Sequence, residues 1–262
     1  MKQAEKDLKL IMRTAVLAGE ILLKSGAEVG RVEDTMMRIL QLSSCKHINA
    51  VCILTGIVAT IDDEEQDIIT YARSVRRIKM NISHIVEVNR ISRSLCDAQM
   101  TFQEAFNQLQ GIGGNLYRSK TYAVALMLVV FGFSLFLGGS FLDSIITASI
   151  GAVLSFVTIG AKKWKVHDFF FYIFNGCIIA FAALVAKYFI PQVQSDIVII
   201  GGIMSIVPGV AITNGVRDIL AGNLISGNAR MLNALLTATG ISIGIAVGMW
   251  IFGYIGELLV WI

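Results

Sequence analysis

Beyond residue 120 the chain holds a succession of apolar stretches, each near the roughly 20 residues that a helix rising about 1.5 Å per residue needs to cross about 30 Å of hydrocarbon. They fall at about 121–139, 141–161, 168–189, 196–213 and 232–252, with an apolar tail running on to Ile262. Charge is segregated to match. Residues 1–120 hold 16 Lys and Arg and 14 Asp and Glu, whereas the other 142 residues hold 6 and 5. Two parts of the chain therefore answer to different solvents. The expected fold is a membrane all-α bundle of about five transmembrane helices over 116–262, preceded by a small cytoplasmic α+β domain over 1–115. With 55% apolar and 16% charged residues, the chain has too little polar surface to be wholly soluble.

In the first part, Leu8, Ile11, Met12, Ala15, Gly19 and Leu22 share one helical face, and Gly26 is placed to end that helix. A second amphipathic helix is expected to turn Val32, Met36, Ile39 and Leu40 inward and Glu33, Asp34 and Arg38 outward. From about Asn49 to Val75, β-branched residues broken at Thr55-Gly56 and at the acidic run Asp62–Glu65 predict two or three antiparallel strands. Asn81–Leu95 returns to helical spacing. Thr101-Phe102-Gln103-Glu104 is a capping box, and Gly111, Gly113 and Gly114 close the helix it opens.

The apolar stretch from Leu8 is interrupted by Lys9, Arg13 and Glu20, so no signal-peptide core is expected. Arg118 and Lys120, then Lys162, Lys163 and Lys165, then Arg217 and Arg230 fall on one side of the membrane by alternation, with only Lys187 on the other. The positive-inside rule places the amino terminus in the cytoplasm and the carboxyl terminus outside, in a multi-pass inner-membrane protein. A net charge of +3, well mixed in sign, gives no basic stripe for nucleic acid. Cys45, Cys52, Cys96 and Cys177 form no CxxC pair, and His47, His84 and His167 stand far apart, so no metal site and no cofactor are expected. Absence of HExxH, GxSxG or GxxxxGK[ST] argues against an enzyme and against direct ATP use.

No ionisable residue lies near the centre of a span, as a proton relay would require. The spans carry Ser149, Ser155, Thr158, Asn175, Ser205, Thr237, Thr239 and Ser242 instead, and Asn175 is the costliest of these to bury in lipid. Gly240, Gly244 and Gly248 form a bare stripe suited to close helix packing, within the chain or with a partner. The fourth stretch has Gly201-Gly202 inside it and is broken at Pro208-Gly209, as expected where unwound backbone lines a solute site. If Ser226 or Asn228 caps the next helix, Arg230 falls in its first turn and wants an anionic partner, either Asp218 or a substrate carboxylate.

Taken in order, Gly26-Ala27-Glu28 with Arg31-Val32-Glu33-Asp34-Thr35, then Val88-Asn89-Arg90-Ile91-Ser92-Arg93, then Pro208-Gly209 through Asn214-Gly215-Val216-Arg217-Asp218 to Ser226-Gly227 and Arg230 resemble the threonine/serine exporter family over nearly the whole chain. The resemblance implies the split form, completed by a second, smaller membrane subunit. It also implies export of threonine and serine, or of succinate. On this reading the chain is a subunit of an ion-coupled efflux permease for small polar metabolites, with a homo-oligomer left open. The expected substrate pathway comprises Pro208, Gly209, Thr213, Asn214, Arg217, Asp218, Ser226, Gly227, Arg230 and Asn175. An alternative is a membrane-anchored sensor whose soluble domain binds a ligand through Arg31, Glu33, Asp34, Asn89 and Arg93, residues that otherwise serve as bridges and caps or dock the domain onto the membrane half.

Overall fold

The computed structural model describes residues 2–62, 68–76, 78–113, 119–164 and 167–260. The acidic run beyond Asp62, Gly114, Arg118, Lys165 and the last residues to Ile262 lie outside the described residues, as do the side chains of Lys162, Lys163 and Glu257. The chain divides into two units, Met1–Gly114 with Val210–Leu232 and Asn115–Gly209 with Asn233–Ile262.

In the first unit, helix α1 (Lys2–Lys24) buries Leu8, Ile11, Met12, Ala15 and Leu22 along its apolar face. A Schellman turn closes it. Gly26 takes φ +82°, its N–H donates to the Leu23 carbonyl, and the Ala27 N–H donates to the Leu22 carbonyl, both at 3.1 Å. Helix α2 (Val29–Gln41) buries Val32, Met36, Ile39 and Leu40 and leaves Asp34 and Arg38 in solvent. Three strands follow, β1 (His47–Ile53), β2 (Gly56–Asp62) and β3 (Ile69–Ser74), in an antiparallel sheet of order β1-β2-β3. Strand alternation turns Ile57, Ala59 and Ile61 into the core opposite Cys52, Ala50 and Ile48. Helix α3 (Ile82–Cys96) begins at Asn81, whose Oδ1 accepts the His84 N–H at 3.2 Å. Helix α4 (Phe102–Gly111) opens on the expected capping box, with Thr101 Oγ1 accepting the Glu104 N–H and Glu104 Oε2 accepting the Thr101 N–H. The bonds that the Thr101 N–H and then its hydroxyl donate to Glu104 hold that carboxyl below the usual carboxylate range.

Among the described residues four helices are long and apolar enough to cross a membrane, all within or spanning α5 (Ser119–Phe136), α6 (Phe141–Trp164), α7 (Asp168–Phe189) and α10 (Leu224–Val260). The 22 residues of α7 rise roughly 33 Å. Large apolar side chains such as Phe136, Phe156 and Trp250 point outward, as lipid contact allows and water does not. The stretch expected as one broken span over 196–213 is two short helices, α8 (Ser195–Ile203) and α9 (Gly209–Leu220), separated by a turn over Met204–Pro208. Pro208 has no N–H to give and its ring disfavours helical backbone at Val207, so the interruption falls there. Helix α10 starts eight residues before the expected 232 and runs for 37, and its Leu224–Leu232 stretch belongs to the first unit.

Within the second unit the glycine stripe of α10 lies on α7. A Cβ at Gly240 would sit 3.3 Å from the Phe169 carbonyl oxygen and one at Gly248 2.5 Å from that of Cys177, while one at Gly244 would strike the Ile173 carbonyl. Gly176 returns the fit, since a Cβ there would lie 2.6 Å from the Ile241 carbonyl oxygen. Backbone meets backbone along this seam, which any side chain would force apart. Ile150, Leu154, Ile179, Ala180 and Val198 form the apolar centre beside it.

Candidate functional site

The Schellman turn after α1 leaves the Gly26 and Ala27 carbonyls facing away from their own helix, and the segment 214–230 reaches them. Asn214 Nδ2 donates to the Gly26 carbonyl at 3.0 Å. Arg230 donates from Nη2 to the Ala27 carbonyl at 2.5 Å and from Nε to Asp218 Oδ2 at 2.9 Å, with Nη1 at 3.5 Å from the Gly26 oxygen. The other carboxylate oxygen of Asp218 accepts the Val29 N–H at 3.0 Å. Helix α2 makes no side-chain cap of its own at Glu28. Asp218 supplies that cap from 189 residues away and places an anion at the positive end of the helix.

This ion pair is out of water, with Asp218 1% and Arg230 6% exposed. Its charges balance and its polar atoms meet main-chain partners, the condition under which a buried pair is tolerated. Of the two partners weighed for Arg230, Asp218 is the one in place, and the cation sits in the second turn of α10, not the first, because the helix begins at Leu224. Around the pair, Arg217 Nη1 meets Glu28 Oε1 at 2.6 Å on a more exposed flank, and Ser226 Oγ accepts the Leu54 N–H of the β1–β2 turn at 3.1 Å. Gly227 lets α9 and α10 close, since a Cβ there would lie 2.8 Å from the Gly215 carbonyl oxygen. Thr213 Oγ1 donates to the Val210 carbonyl. Thus Asn214, Arg217, Asp218, Ser226, Gly227 and Arg230 converge with Gly26, Ala27 and Glu28 in one network.

Glu33 adjoins that network, its Oε1 accepting the Cys52 N–H at 2.8 Å. Burial first, then the Glu33 carboxylate, pushes the Cys52 thiol up to about 12, so it stays protonated and unreactive. Arg31, Asp34, Asn89 and Arg93 are elsewhere, lining a cleft of about 690 Å³ between α2 and α3.

The second unit holds a smaller cavity of about 230 Å³ at the interrupted helix, lined by Ser205, Ile206, Val207 and Pro208 together with Tyr122, Thr158, Phe171 and Tyr172. Turn amides fold back onto α8, with the Ser205 N–H donating to Gly202 and those of Ile206 and Val207 to Ile203. Among the described residues no backbone amide outside the helices donates to the carbonyls of Met204, Ser205 or Ile206. Ser205 and Ile206 in the lining thus keep carbonyls without a backbone donor. The Thr158 hydroxyl donates to the Leu154 carbonyl of its own helix and the Ser205 hydroxyl to the Gly202 carbonyl of α8, both at 2.8 Å, and each keeps lone pairs free. Pro208 lines the same cavity. Gly209 opens α9, and Asn175 lies a turn beyond Phe171, fully buried, its Nδ2 donating to the Phe171 carbonyl at 2.7 Å and its Oδ1 without a partner. Tyr122 and Tyr172, which also line the cavity, belong to no motif singled out in the sequence. Among the described residues no group of His, Cys, Asp and Glu could hold a metal.

A family model described as "Putative threonine/serine exporter" matches residues 13–252. A "Probable threonine/serine exporter" of Mycobacterium tuberculosis is 23% identical over 249 residues, 93% of this chain and 46% of that protein. A "Threonine/serine exporter" of Corynebacterium glutamicum is 24% identical over 251 residues, 91% of this chain and 50% of that protein. An uncharacterized protein of Schizosaccharomyces pombe is 23% identical over 185 residues, 68% of this chain and 22% of that protein. The chain spans about half the length of the two bacterial relatives. No solved structure matches it. The family match takes in both the elbow at Gly26–Glu28 and the segment 214–230 bonded to it, along with the apolar helices between, and on that extent the chain belongs to the threonine/serine exporter family.

Proposed function

We propose that the chain is the larger subunit of an exporter that moves threonine- and serine-type amino acids out of the cell through the cavity at the α8–α9 interruption. The observation that carries this is the set of acceptors at Ser205, Ile206 and Thr158 in its lining, inside a unit built of membrane-length helices. At about 230 Å³ the cavity falls below the roughly 300–1,000 Å³ of drug-sized sites and suits a solute with a few heavy atoms. Free carbonyls and hydroxyl lone pairs suit a solute ammonium better than a second carboxylate, so amino acids lead and succinate follows. With the α8–α9 stretch taken as the return crossing that follows α7, the amino terminus lies in the cytoplasm and the carboxyl terminus outside, on the distribution of cations around the spans. A second, smaller membrane subunit of the same family completes the path, in keeping with relatives about twice as long as the matched region. The network at Asp218 and Arg230 holds the elbow of the first unit in this reading, and does not touch the solute.

Efflux of labelled threonine, serine and succinate from proteoliposomes containing the chain and its partner tests the assignment. Thr158→Val combined with Ser205→Ala is expected to slow threonine efflux by about tenfold at equal protein abundance, the loss of one to two hydrogen bonds. Unchanged threonine efflux sinks the cavity as the solute site, and succinate efflux faster than threonine efflux reverses the order of substrates.

A further inference from the structure

The cleft between α2 and α3 does not belong to the transport path proposed above, and its chemistry is of another kind. Arg31 and Arg38 come from one face of α2, Asn89 and Arg93 from one face of α3. These positions are spaced so that each pair shares a helix face. Arg38 lies 3.5 Å from Asp34, a loose, largely solvated pair. The guanidinium groups of Arg31 and Arg93 make no hydrogen bond or ion pair among the described residues, whereas Arg73, Arg90, Arg217 and Arg230 each meet a carboxylate and Arg13 lies over the Phe106 ring. Asp97 is the one further carboxylate in the lining. The cleft thus gathers three guanidinium groups against two carboxylates and leaves two of the three uncommitted. Guanidinium forks stay charged at any physiological pH and recognise the paired oxygens of carboxylate or phosphate.

We propose that this cleft binds a small soluble polyanion, a di- or tricarboxylate or a phosphorylated metabolite, held by Arg31 and Arg93 with the Asn89 amide as a further donor. At about 690 Å³ it accommodates a ligand much larger than the solute of the second-unit cavity. Arg31 lies two residues from Val29, whose N–H is the one that Asp218 caps, so the ligand would sit on the first turn of a helix anchored by the buried ion pair. Binding here can be measured without any assumption about export.

The test is isothermal titration of the full chain in uncharged maltoside micelles with citrate and, separately, inorganic pyrophosphate, at matched ionic strength. Saturable binding of either anion is expected, weakened at least about tenfold in Arg31→Gln/Arg93→Gln, since each lost bond is to a charged group. Arg76→Gln, which removes an exposed guanidinium outside the cleft, is expected to leave affinity within about twofold. Citrate alone binding assigns carboxylates and pyrophosphate alone assigns phosphates. No saturable heat from either, equal weakening by Arg76→Gln, or saturation only with vesicles containing phosphatidylglycerol overturns the proposal, the last by making the cleft a lipid-headgroup contact.

Discussion

Asp218 in the first unit and Asp143 in the second are both removed from water, 1% and 0% exposed, and they are accommodated by different means. Asp143 is satisfied by neutral donors. Its Oδ2 accepts the Ser140 N–H at 2.9 Å and the Ser140 hydroxyl at 2.7 Å, and its Oδ1 accepts the Gln194 N–H at 2.9 Å. Ser140 in turn accepts the Asp143 N–H, so the pair is a capping box at the start of α6, where the helix end favours an anion. Asp218 also caps a helix, but a foreign one, and it needs a cation beside it. A carboxylate that serves its own helix can be buried with dipoles alone. One brought from afar to bridge two elements carries a counter-charge with it, and each member then depends on the other.

That difference sets an order of mutational effects. Asp218→Ala is expected to be the most damaging change, about 3–5 kcal/mol, because it leaves the Arg230 guanidinium buried without a counter-charge. Thermal unfolding of the purified chain checks this, and the double variant Asp218→Ala/Arg230→Met should recover much of the loss. A double variant no better than Asp218→Ala would break the comparison, since the cost would then not be electrostatic. Asp143→Asn is expected to cost less, about 1–3 kcal/mol, because the amide oxygen can still accept both Ser140 bonds while the Gln194 N–H loses its acceptor. Measured equal to Asp218→Ala, it would show that the neutral cap is no more forgiving than the ion pair. Arg217→Ala should cost less than about 1 kcal/mol, since its side chain is 66% exposed beside Glu28. A larger loss in the same unfolding assay would make the exposed bridge part of the buried network.

Legibility in the sequence follows the distance between partners. Gly26 as a helix stop, Thr101 with Glu104 as a cap, and the inward face of α2 were all readable, because each depends on neighbours three or four residues away. Ser140-Phe141-Leu142-Asp143 carries the same local pattern and could have been found the same way. Pro208 announced an interruption, and α8 and α9 do part there. The early start of α10 was hidden because Ser226, Asn228 and Arg230 look like loop residues. Ser226 and Arg230 are tolerated in the helix because Leu54, Asp218 and Ala27 satisfy them. No periodicity records a bond between Val29 and Asp218 across 189 positions. The resemblance singled out Asp218 and, at Gly26–Glu28, the residues just before Val29, without indicating that the two segments touch.

Because residues 210–232 complete the first unit, the order of synthesis matters to its folding. When the ribosome has made the elbow and the β1–β2 hairpin, the Gly26 and Ala27 carbonyls and the Val29 and Leu54 amides must wait until three long apolar helices have been delivered before their partners emerge. The segment nearest the start of the message is thus among the last to be finished, and a fragment ending near residue 113 would lack the pieces that close it.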